Sequence, residues 1–342
     1  MAEEPRTYPL VEALIKRSRL PWYWAAAVVA AVLLLFLILV TFLDGAINVL
    51  STWRFWQSNL EGLVLIIYIL VVHVFMWRLR ERAIQAFRPL LPLDEDDFNR
   101  LAAEVTMPKR RWEWTSVLIG VGLAVVLGQP WNLPWGSGEL WWSVYLVITE
   151  GLMNGLLYWL IYDSLAGAVR INRLSRRDLK LDIFDTELMI PIARWSLGIS
   201  LAFIGGISLS LVFGTREQLL RWQSITMYVI LVCATILIFF ISMRSAHNAM
   251  AGAKKRELDL AREHLVAASR ELKDQAVRGQ VGGMERLSYT ITSWSTYQRL
   301  VKETPTWPFN AVIIRRLFVS ILTPGLVYLV KILSQTGIRF GS

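Results

Sequence analysis

The chain has 342 residues, of which 55% are hydrophobic and 18% are charged, and its formal net charge is +9. Its mean hydropathy is +0.44 and it contains 16 tryptophans, a composition far from that of an average soluble domain. This composition predicts an all-α protein, a polytopic membrane helix bundle with about seven spans.

The first span is predicted at residues 23–43, where no charged side chain interrupts an apolar run. A spanning helix needs about 20 such residues. The run is longer than the apolar part of a signal peptide and no small-residue cleavage site follows it, so we expect a true span. The same criterion predicts further spans at residues 61–78, 116–129, 141–163, 188–213, 222–243 and 312–334, the third being short enough to be interfacial or re-entrant instead.

The basic residues predict how these spans are oriented. All but five of the 36 lysines and arginines lie before the first span or in alternate loops, and the exceptions are Arg54, Arg216, Arg221, Lys331 and Arg339. Cytoplasmic loops carry the excess of basic residues, so we expect the N-terminus in the cytoplasm, the C-terminus outside, and a location in the plasma (inner) membrane. The positive charge is then an orientation signal, and we expect no nucleic-acid partner.

Polar residues inside the predicted spans are candidates for function, because a charge in the bilayer is costly. Glu150, Asn154 and Tyr158 lie on one stripe of the fourth span. Glu150 has an alternative place near the outer interface, where water would solvate it. For His73, in the second span, we prefer a core or interfacial histidine whose hydrogen bonds are satisfied.

Small residues recur at four-residue spacing in three spans, and such ridges allow helices to approach closely within lipid. We therefore expect these spans to form the inner bundle, and the first span, which has no ridge, to face lipid. The ridges are Gly120, Ala124 and Gly128; Gly151 and Gly155; and Gly198, Ala202, Gly206, Ser210 and Gly214.

Residues 244–304 are polar and have a regular heptad pattern, which predicts a cytoplasmic, coiled-coil-like helical hairpin. No breaker lies between Trp222 and Val277, so we expect the sixth span to continue into this hairpin as one helix. The hairpin separates a transmembrane bundle, residues 1–243, from a last span and outer tail, residues 305–342. We expect its apolar positions to mediate self-association, with packing under its own bundle as the alternative: Leu258, Leu265, Leu272, Leu287 and Trp294.

The last predicted span combines a helix-loosening dipeptide with small polar groups and a charge. Pro324-Gly325 removes a backbone hydrogen bond near the centre of the span, which is tolerated beside a cavity or a neighbouring helix. If this helix met its symmetry mates, one of its faces would line a pore. The candidate pore residues are Ser320, Thr323, Pro324, Gly325, Val327, Lys331 and Gln335.

Enzymatic motifs are missing from the sequence. It has no zinc-protease HExxH, no GxSxG and no P-loop, only three histidines, and a single cysteine, Cys233, within a predicted span. Tyr162-Asp163 is similar to one half of the intramembrane aspartyl protease signature, but its Gly-x-Gly-Asp partner is absent. We therefore expect no enzymatic activity, no cofactor and no metal site.

The order of the predicted elements resembles that of the insect odorant and gustatory receptor channels. The shared features are seven spans, an N-terminus inside, a sixth span extended into the cytoplasm and a last span that ends outside. That family has a tyrosine and a glutamine in its last helix; here Tyr328 and Gln335 stand one residue further apart, without the adjoining Thr and Phe. The resemblance implies a tetrameric cation channel lined by the last helix.

Three functions follow from these features. A homo-oligomeric ion channel lined by the last span accounts for the broken helix and the hairpin, and a ring of Lys331 side chains would favour anions. A carrier or proton-coupled transporter accounts for Glu150 and Asn154. A scaffold or accessory subunit of a larger complex accounts for the hairpin alone. The expected partners are the lipid bilayer, further copies of the chain and a small ion or solute.

The orientation can be tested by fusing a reporter that is active only in the cytoplasm to either end of the chain. We expect an active fusion at the N-terminus and an inactive one at the C-terminus, because of the distribution of basic residues. Reporter activity at the C-terminal fusion would contradict the seven-span arrangement.

Overall fold

The structure, a computed structural model, describes residues 21–106, 109–133, 140–174, 183–184, 190–214, 221–278, 283–306 and, near the C-terminus, 315, 319, 322–326, 328 and 330. Every regular element in these ranges is helical. The α-helices are α1 (Trp22–Leu43), α2 (Trp53–Gln85), α3 (Glu95–Thr106), α4 (Arg110–Gly128), α5 (Leu140–Leu174), α6 (Ile190–Phe213), α7 (Trp222–Val277) and α8 (Met284–Glu303). Short 3-10 segments occupy Ile47–Ser51, Arg88–Leu90 and Pro130–Asn132.

Within the described residues, six helical segments are long and apolar enough to cross a membrane: Trp22–Leu43, Phe55–Leu90, Glu95–Asn132, Leu140–Leu174, Ile190–Phe213 and Trp222–Val277. This confirms an all-helical, multi-pass membrane protein in contact with lipid. Most of the seventh predicted span, residues 312–334, lies outside the described residues. Its described residues are helical, and we refer to residues 315, 319, 322–326, 328 and 330 as the C-terminal helical stretch.

Several helices extend beyond the predicted spans. Helix α4 starts at Arg110 and has 19 residues, which is about 28 Å and long enough to span most of the bilayer core. Helix α5 continues to Leu174, well past the predicted end at residue 163. Hydropathy misses these turns because arginines and tryptophans at the ends of a span continue the helix while lowering its mean hydropathy.

Helices α2, α5, α6 and α7 surround the main core. Its largest fully buried side chains include Trp159 of α5, Trp195 of α6 and Met76 of α2. Helix α1 buries few residues and leaves most of its apolar surface exposed. The segments Glu95–Asn132 and Trp222–Val277 are exposed to a greater extent still, so the expectation that the first span in particular faces lipid stays a prediction.

The small-residue ridge of α4 packs closely against α5. The expectation that α4 belongs to the inner bundle is wrong, however, because most of its apolar side chains are exposed. A Cβ atom added to Gly120 would lie 2.5 Å from the backbone oxygen of Asn154 and 2.9 Å from the Cα atom of Gly155. A Cβ atom added to Gly155 would in turn contact the side chain of Val117. The two backbones are therefore in direct contact, which only glycine allows.

An aspartate at the end of α1 caps the start of α5. The Asp44 carboxylate accepts hydrogen bonds from the backbone N–H groups of Trp142, at 2.8 Å, and Trp141, at 3.3 Å. Free N–H groups at a helix start need such acceptors. The contact ties two helices that are far apart in sequence.

Helix α7 has 56 residues, about 84 Å at 1.5 Å per residue, so the expectation of one uninterrupted helix is confirmed. Helix α8 runs back along its distal part. The Tyr297 hydroxyl donates to Glu257 at 2.8 Å, and Lys254 donates to the backbone oxygen of Lys302 at 2.6 Å. The rings of His264 and Trp294 stack with centroids 4.3 Å apart.

The contact between α4 and α5 can be tested with two glycines of one helix. Gly120→Ala forces a methyl group into the α5 backbone, and we expect a loss of about 1–3 kcal/mol in stability. Gly122→Ala meets nothing within 4 Å and should be neutral or stabilising by up to about 1 kcal/mol. Thermal melting of the detergent-purified variants measures both. Equal melting temperatures would show that α4 and α5 do not touch at Gly120.

Candidate functional site

Polar side chains gather at two levels of the bundle, and α2 and α5 contribute to both. The first group, the Glu61 cluster, consists of Glu61, Glu150, Ser210, Arg221 and Tyr228. The second group, the Asp163 cluster, consists of His73, Arg80, Glu113, Asp163 and Arg170.

A carboxylate with two hydroxyl groups forms the centre of the Glu61 cluster. The Ser210 hydroxyl donates to Glu61 at 2.5 Å, and because its single hydrogen is used there, it accepts from the Tyr228 hydroxyl, 2.9 Å away. Charge-assisted hydrogen bonds of this length are strong. Helices α2, α6 and α7 therefore meet at three oxygen atoms.

Two further elements reach the same level. On α5, Glu150 interacts electrostatically with Glu61 and with Arg221. Tyr328, from the C-terminal helical stretch, interacts with Tyr228 and packs against the main core. Four helices and this stretch thus converge on two carboxylates, one arginine and several hydroxyl groups.

The Glu61 cluster lies near one end of the bundle. Glu61 is about two turns inside α2, and Ser210 is in the last turn of α6. Towards the opposite end, the next buried residues of α2 are apolar, namely Leu63, Ile66 and Ile69. Along this helix an apolar stretch therefore separates the Glu61 cluster from the Asp163 cluster.

The stripe of Glu150, Asn154 and Tyr158 does not form a single site. Asn154 is buried, but its amide donates to the Glu150 backbone oxygen at 2.9 Å. The Tyr158 hydroxyl contacts the Met227 sulfur atom at 3.8 Å. Glu150 itself is exposed, beside Gly128. Of the three, only Glu150 belongs to the Glu61 cluster.

The Asp163 cluster is built on a buried ion pair. The Arg80 guanidinium donates to both carboxylate oxygens of Asp163, at 2.6 and 3.0 Å, and to its backbone oxygen at 3.0 Å. Both residues are at most 2% exposed. Gly167 makes room for the pair, because a Cβ atom there would lie 2.9 Å from the Arg80 Nε atom. A bidentate pair of this kind locks α2 to α5.

A histidine and a glutamate surround this ion pair. His73 is 2% exposed, its Nδ1 atom lies 3.9 Å from the Asp163 Oδ2 atom, and its ring lies 4.6 Å from that of Trp159. The Trp159 indole donates to the buried carboxylate of Glu113 at 3.2 Å. His73 is in the core, as expected, but in the described part of the chain neither ring nitrogen has a hydrogen-bond partner.

At the same end, Arg170 links α5 to the amphipathic helix α3. Its guanidinium is half-buried and donates to the Val105 backbone oxygen at 3.3 Å. Phe98 of α3 is buried in the main core. Helix α3 therefore covers the end of the bundle next to the Asp163 cluster.

The candidate pore residues of the last span are described only in part. Pro324 is buried, whereas Thr323, whose hydroxyl donates to the Val319 backbone oxygen at 2.8 Å, and Gly325 are exposed. Pro324 and the half-buried Tyr328 thus face the chain's own bundle. The other candidates, Ser320, Val327, Lys331 and Gln335, lie outside the described residues, and the pore stays a prediction.

The apolar heptad residues of the hairpin are half-buried within the chain. Leu258 packs against the main core, and Trp294 stacks on His264. Leu265, Leu272 and Leu287 are half-buried as well. Part of the face proposed for self-association is therefore covered by the chain itself, and self-association stays a prediction.

Sequence analysis missed most members of both clusters. It assigns Arg80 to the basic residues of a cytoplasmic loop, and it mentions Asp163 only as part of the Tyr162-Asp163 dipeptide. Two features of the sequence could have indicated the Asp163 cluster. His73 and Arg80 are seven residues apart and therefore share a helix face. Gly167 lies one turn from Asp163.

No protein-family model matches the chain, and neither a curated protein nor a solved structure matches it. The resemblance to the odorant and gustatory receptor channels thus stays one of span order.

The energetic role of the ion pair can be tested by breaking it. Arg80→Met leaves the Asp163 carboxylate buried without its main partner, and we expect a loss of about 3–5 kcal/mol. The double variant Arg80→Met, Asp163→Leu removes both charges and should recover most of that loss. Thermal or denaturant unfolding in detergent measures the difference.

The control is an exposed pair at the same end of α2. Arg88 and Glu95 are 2.9 Å apart with side chains 54% and 66% exposed, so Arg88→Met should cost no more than about 1 kcal/mol. An Arg80→Met protein as stable as Arg88→Met would show that Arg80 and Asp163 are not paired in the core.

Proposed function

We propose that the chain is a carrier of the plasma membrane, in which the Glu61 cluster binds a proton or a small cation. The observation that supports this most directly is the Glu61 carboxylate, which is hydrogen-bonded to Ser210 at 2.5 Å where four helices meet. Ionisable groups inside a membrane protein typically mark an ion or proton pathway. Carboxylate and hydroxyl oxygens are ligands for hard cations and acceptors for protons.

The second carboxylate strengthens the case for a cation. Glu150 interacts with Glu61, while Arg221 offsets part of its charge. Two like charges at one site are costly unless a cation or a proton joins them. The cluster therefore favours a positively charged ligand over an anion.

The apolar stretch of α2 that follows Glu61 favours a carrier over an open channel. Leu63, Ile66 and Ile69 are buried and separate Glu61 from the buried polar groups at the other end of the helix. Carriers place their binding sites between helices, without a continuous polar path across the membrane. Transport past this stretch would need the helices to rearrange.

The topology proposed with this function has seven spans, with the N-terminus inside and the C-terminus outside. The basic residues that surround the Asp163 cluster support a cytoplasmic position for that end. The Glu61 cluster then lies towards the outer side, near the start of α2, where Trp53 and Trp56 lie.

A homo-oligomeric channel is the second candidate, and one surface supports it. The C-terminal helical stretch exposes Val319, Leu322, Leu326 and Val330, a face that could pack against further copies. In such an assembly the last helix would lie near the symmetry axis.

Cation flux into proteoliposomes tests the proposal. Purified protein is reconstituted, an inward sodium, potassium or proton gradient is applied in turn, and lumenal pH and cation content are followed with dyes. We expect slow, saturable flux of at least one of these ions. Glu61→Gln should reduce the rate of this flux by at least about tenfold, which corresponds to the loss of one charged contact. Tyr228→Phe should also reduce the rate of flux, by a smaller factor.

Two matched controls accompany these variants. Glu104→Gln removes an exposed carboxylate on α3. Thr226→Val removes a hydroxyl that donates to the Trp222 backbone oxygen of its own helix. Both variants should leave flux unchanged. Unitary current steps that survive Glu61→Gln would favour the channel. Absence of any flux from folded protein would favour the scaffold.

A further inference from the structure

The imidazole of His73 is a buried polar group without a hydrogen-bond partner in the described part of the chain. It is 2% exposed, and neither of its ring nitrogens has a hydrogen-bond partner among the described residues. A buried polar group without a partner loses its hydration without replacement. The His73 ring is held in place by packing on the Trp159 ring, with the two ring centroids 4.6 Å apart.

Two cationic or potentially cationic groups of α2 compete for one oxygen atom. The Arg80 Nη2 atom lies 2.6 Å from Asp163 Oδ2, and the His73 Nδ1 atom lies 3.9 Å from the same oxygen. With His73 neutral, the charges of Arg80 and Asp163 balance. A proton on His73 would add a second cation beside a single carboxylate, in surroundings where an unpaired charge is strongly disfavoured.

We propose that His73 is a proton-binding site, and that the arrival of a proton moves the Asp163 carboxylate from Arg80 towards His73. The step is a protonation of one imidazole nitrogen by a hydronium ion, which leaves as water, and no electrons are transferred. The resulting imidazolium donates to Asp163 Oδ2. Arg80 then keeps at most part of its bidentate contact.

The other charged groups at this level set the cost of the exchange. Arg170 and Tyr162, on α5, interact electrostatically with each other, and Arg170 also acts on Arg80 and Asp163. Glu113, from α4, reaches the site through the Trp159 indole. Glu113 provides a nearby negative charge for a second cation, and Arg170 opposes one.

The exchange would change how α2 and α5 are joined. His73 and Arg80 are seven residues apart on the same face of α2, about 10 Å along its axis. When the Asp163 carboxylate bonds His73 in place of Arg80, the contact between α2 and α5 shifts towards the middle of the bundle. Arg80 is then released beside Gly167, which has no side chain that could hold the guanidinium. The assignment concerns a site separate from the Glu61 cluster and does not depend on what that cluster binds.

Nuclear magnetic resonance on full-length protein in lipid nanodiscs tests the proposal directly. The chain contains three histidines, so histidine-selective isotope labelling gives a small set of imidazole signals, and His73→Gln identifies the signal of His73 while leaving the ion pair intact. Arginine labelling, with Arg80→Lys for assignment, gives the guanidinium signal of Arg80. Both signals are followed from about pH 8 to about pH 3.

We expect the His73 signal to change from neutral imidazole to imidazolium and the Arg80 signal to change at the same pH. In His73→Gln the Arg80 signal should stay constant over this range, whereas in His264→Gln both changes should persist. Asp163→Asn should lower the pH midpoint of His73 by at least about one unit, because it removes the nearest negative charge.

Two results would overturn the assignment. One is a His73 signal that stays neutral over the whole range. The other is an Arg80 signal that changes equally with and without His73. Both are read on native protein and on His73→Gln, so they remain decisive if Asp163→Asn does not fold. Neither result bears on cation flux through the Glu61 cluster.

Discussion

The fold depends on one constraint, namely that ionised groups within an apolar helix bundle must find partners there. Arg80 and Asp163 meet it with a bidentate ion pair and a third hydrogen bond to the Asp163 backbone. Removing one partner of such a pair is far more costly than removing both. The pair therefore contributes less to net stability than to register, because it permits only one alignment of α2 against α5.

Helix α2 carries polar groups on two faces, and each face has its own partner helix. Towards α6, Glu61 meets Ser210, and the Tyr68 hydroxyl donates to the Ala202 backbone oxygen at 2.7 Å. Towards α5, His73 and Arg80 meet Asp163. Glycines on the partner helices provide the space, since Gly205 lies against the Tyr68 ring and Gly167 against Arg80. A movement of α2 would affect both clusters at once, which gives a physical route for coupling them.

The sequence predicts the helical class, most spans, the uninterrupted α7 and the small-residue ridge by which α4 packs, because apolar run length and small-residue spacing report on single helices. It does not predict that this ridge packs against α5, nor does it predict which polar groups meet. Arg80 and Asp163 are 83 positions apart, and both stand at the ends of apolar windows, where charges are normally solvated. Conversely, Glu150, Asn154 and Tyr158 share a stripe, yet Asn154 bonds its own helix backbone, an outcome that periodicity alone does not distinguish from a shared site.

The central claim is that α2 and α5 are joined inside the bundle by buried charges. An experimental structure of the protein in lipid nanodiscs, at a resolution that shows side chains, tests this most directly. The account predicts continuous density between the Arg80 guanidinium and the Asp163 carboxylate, with the His73 ring packed on Trp159 beside them. It would be contradicted by an Arg80 side chain that extends into the headgroup region or water while Asp163 bonds a different partner.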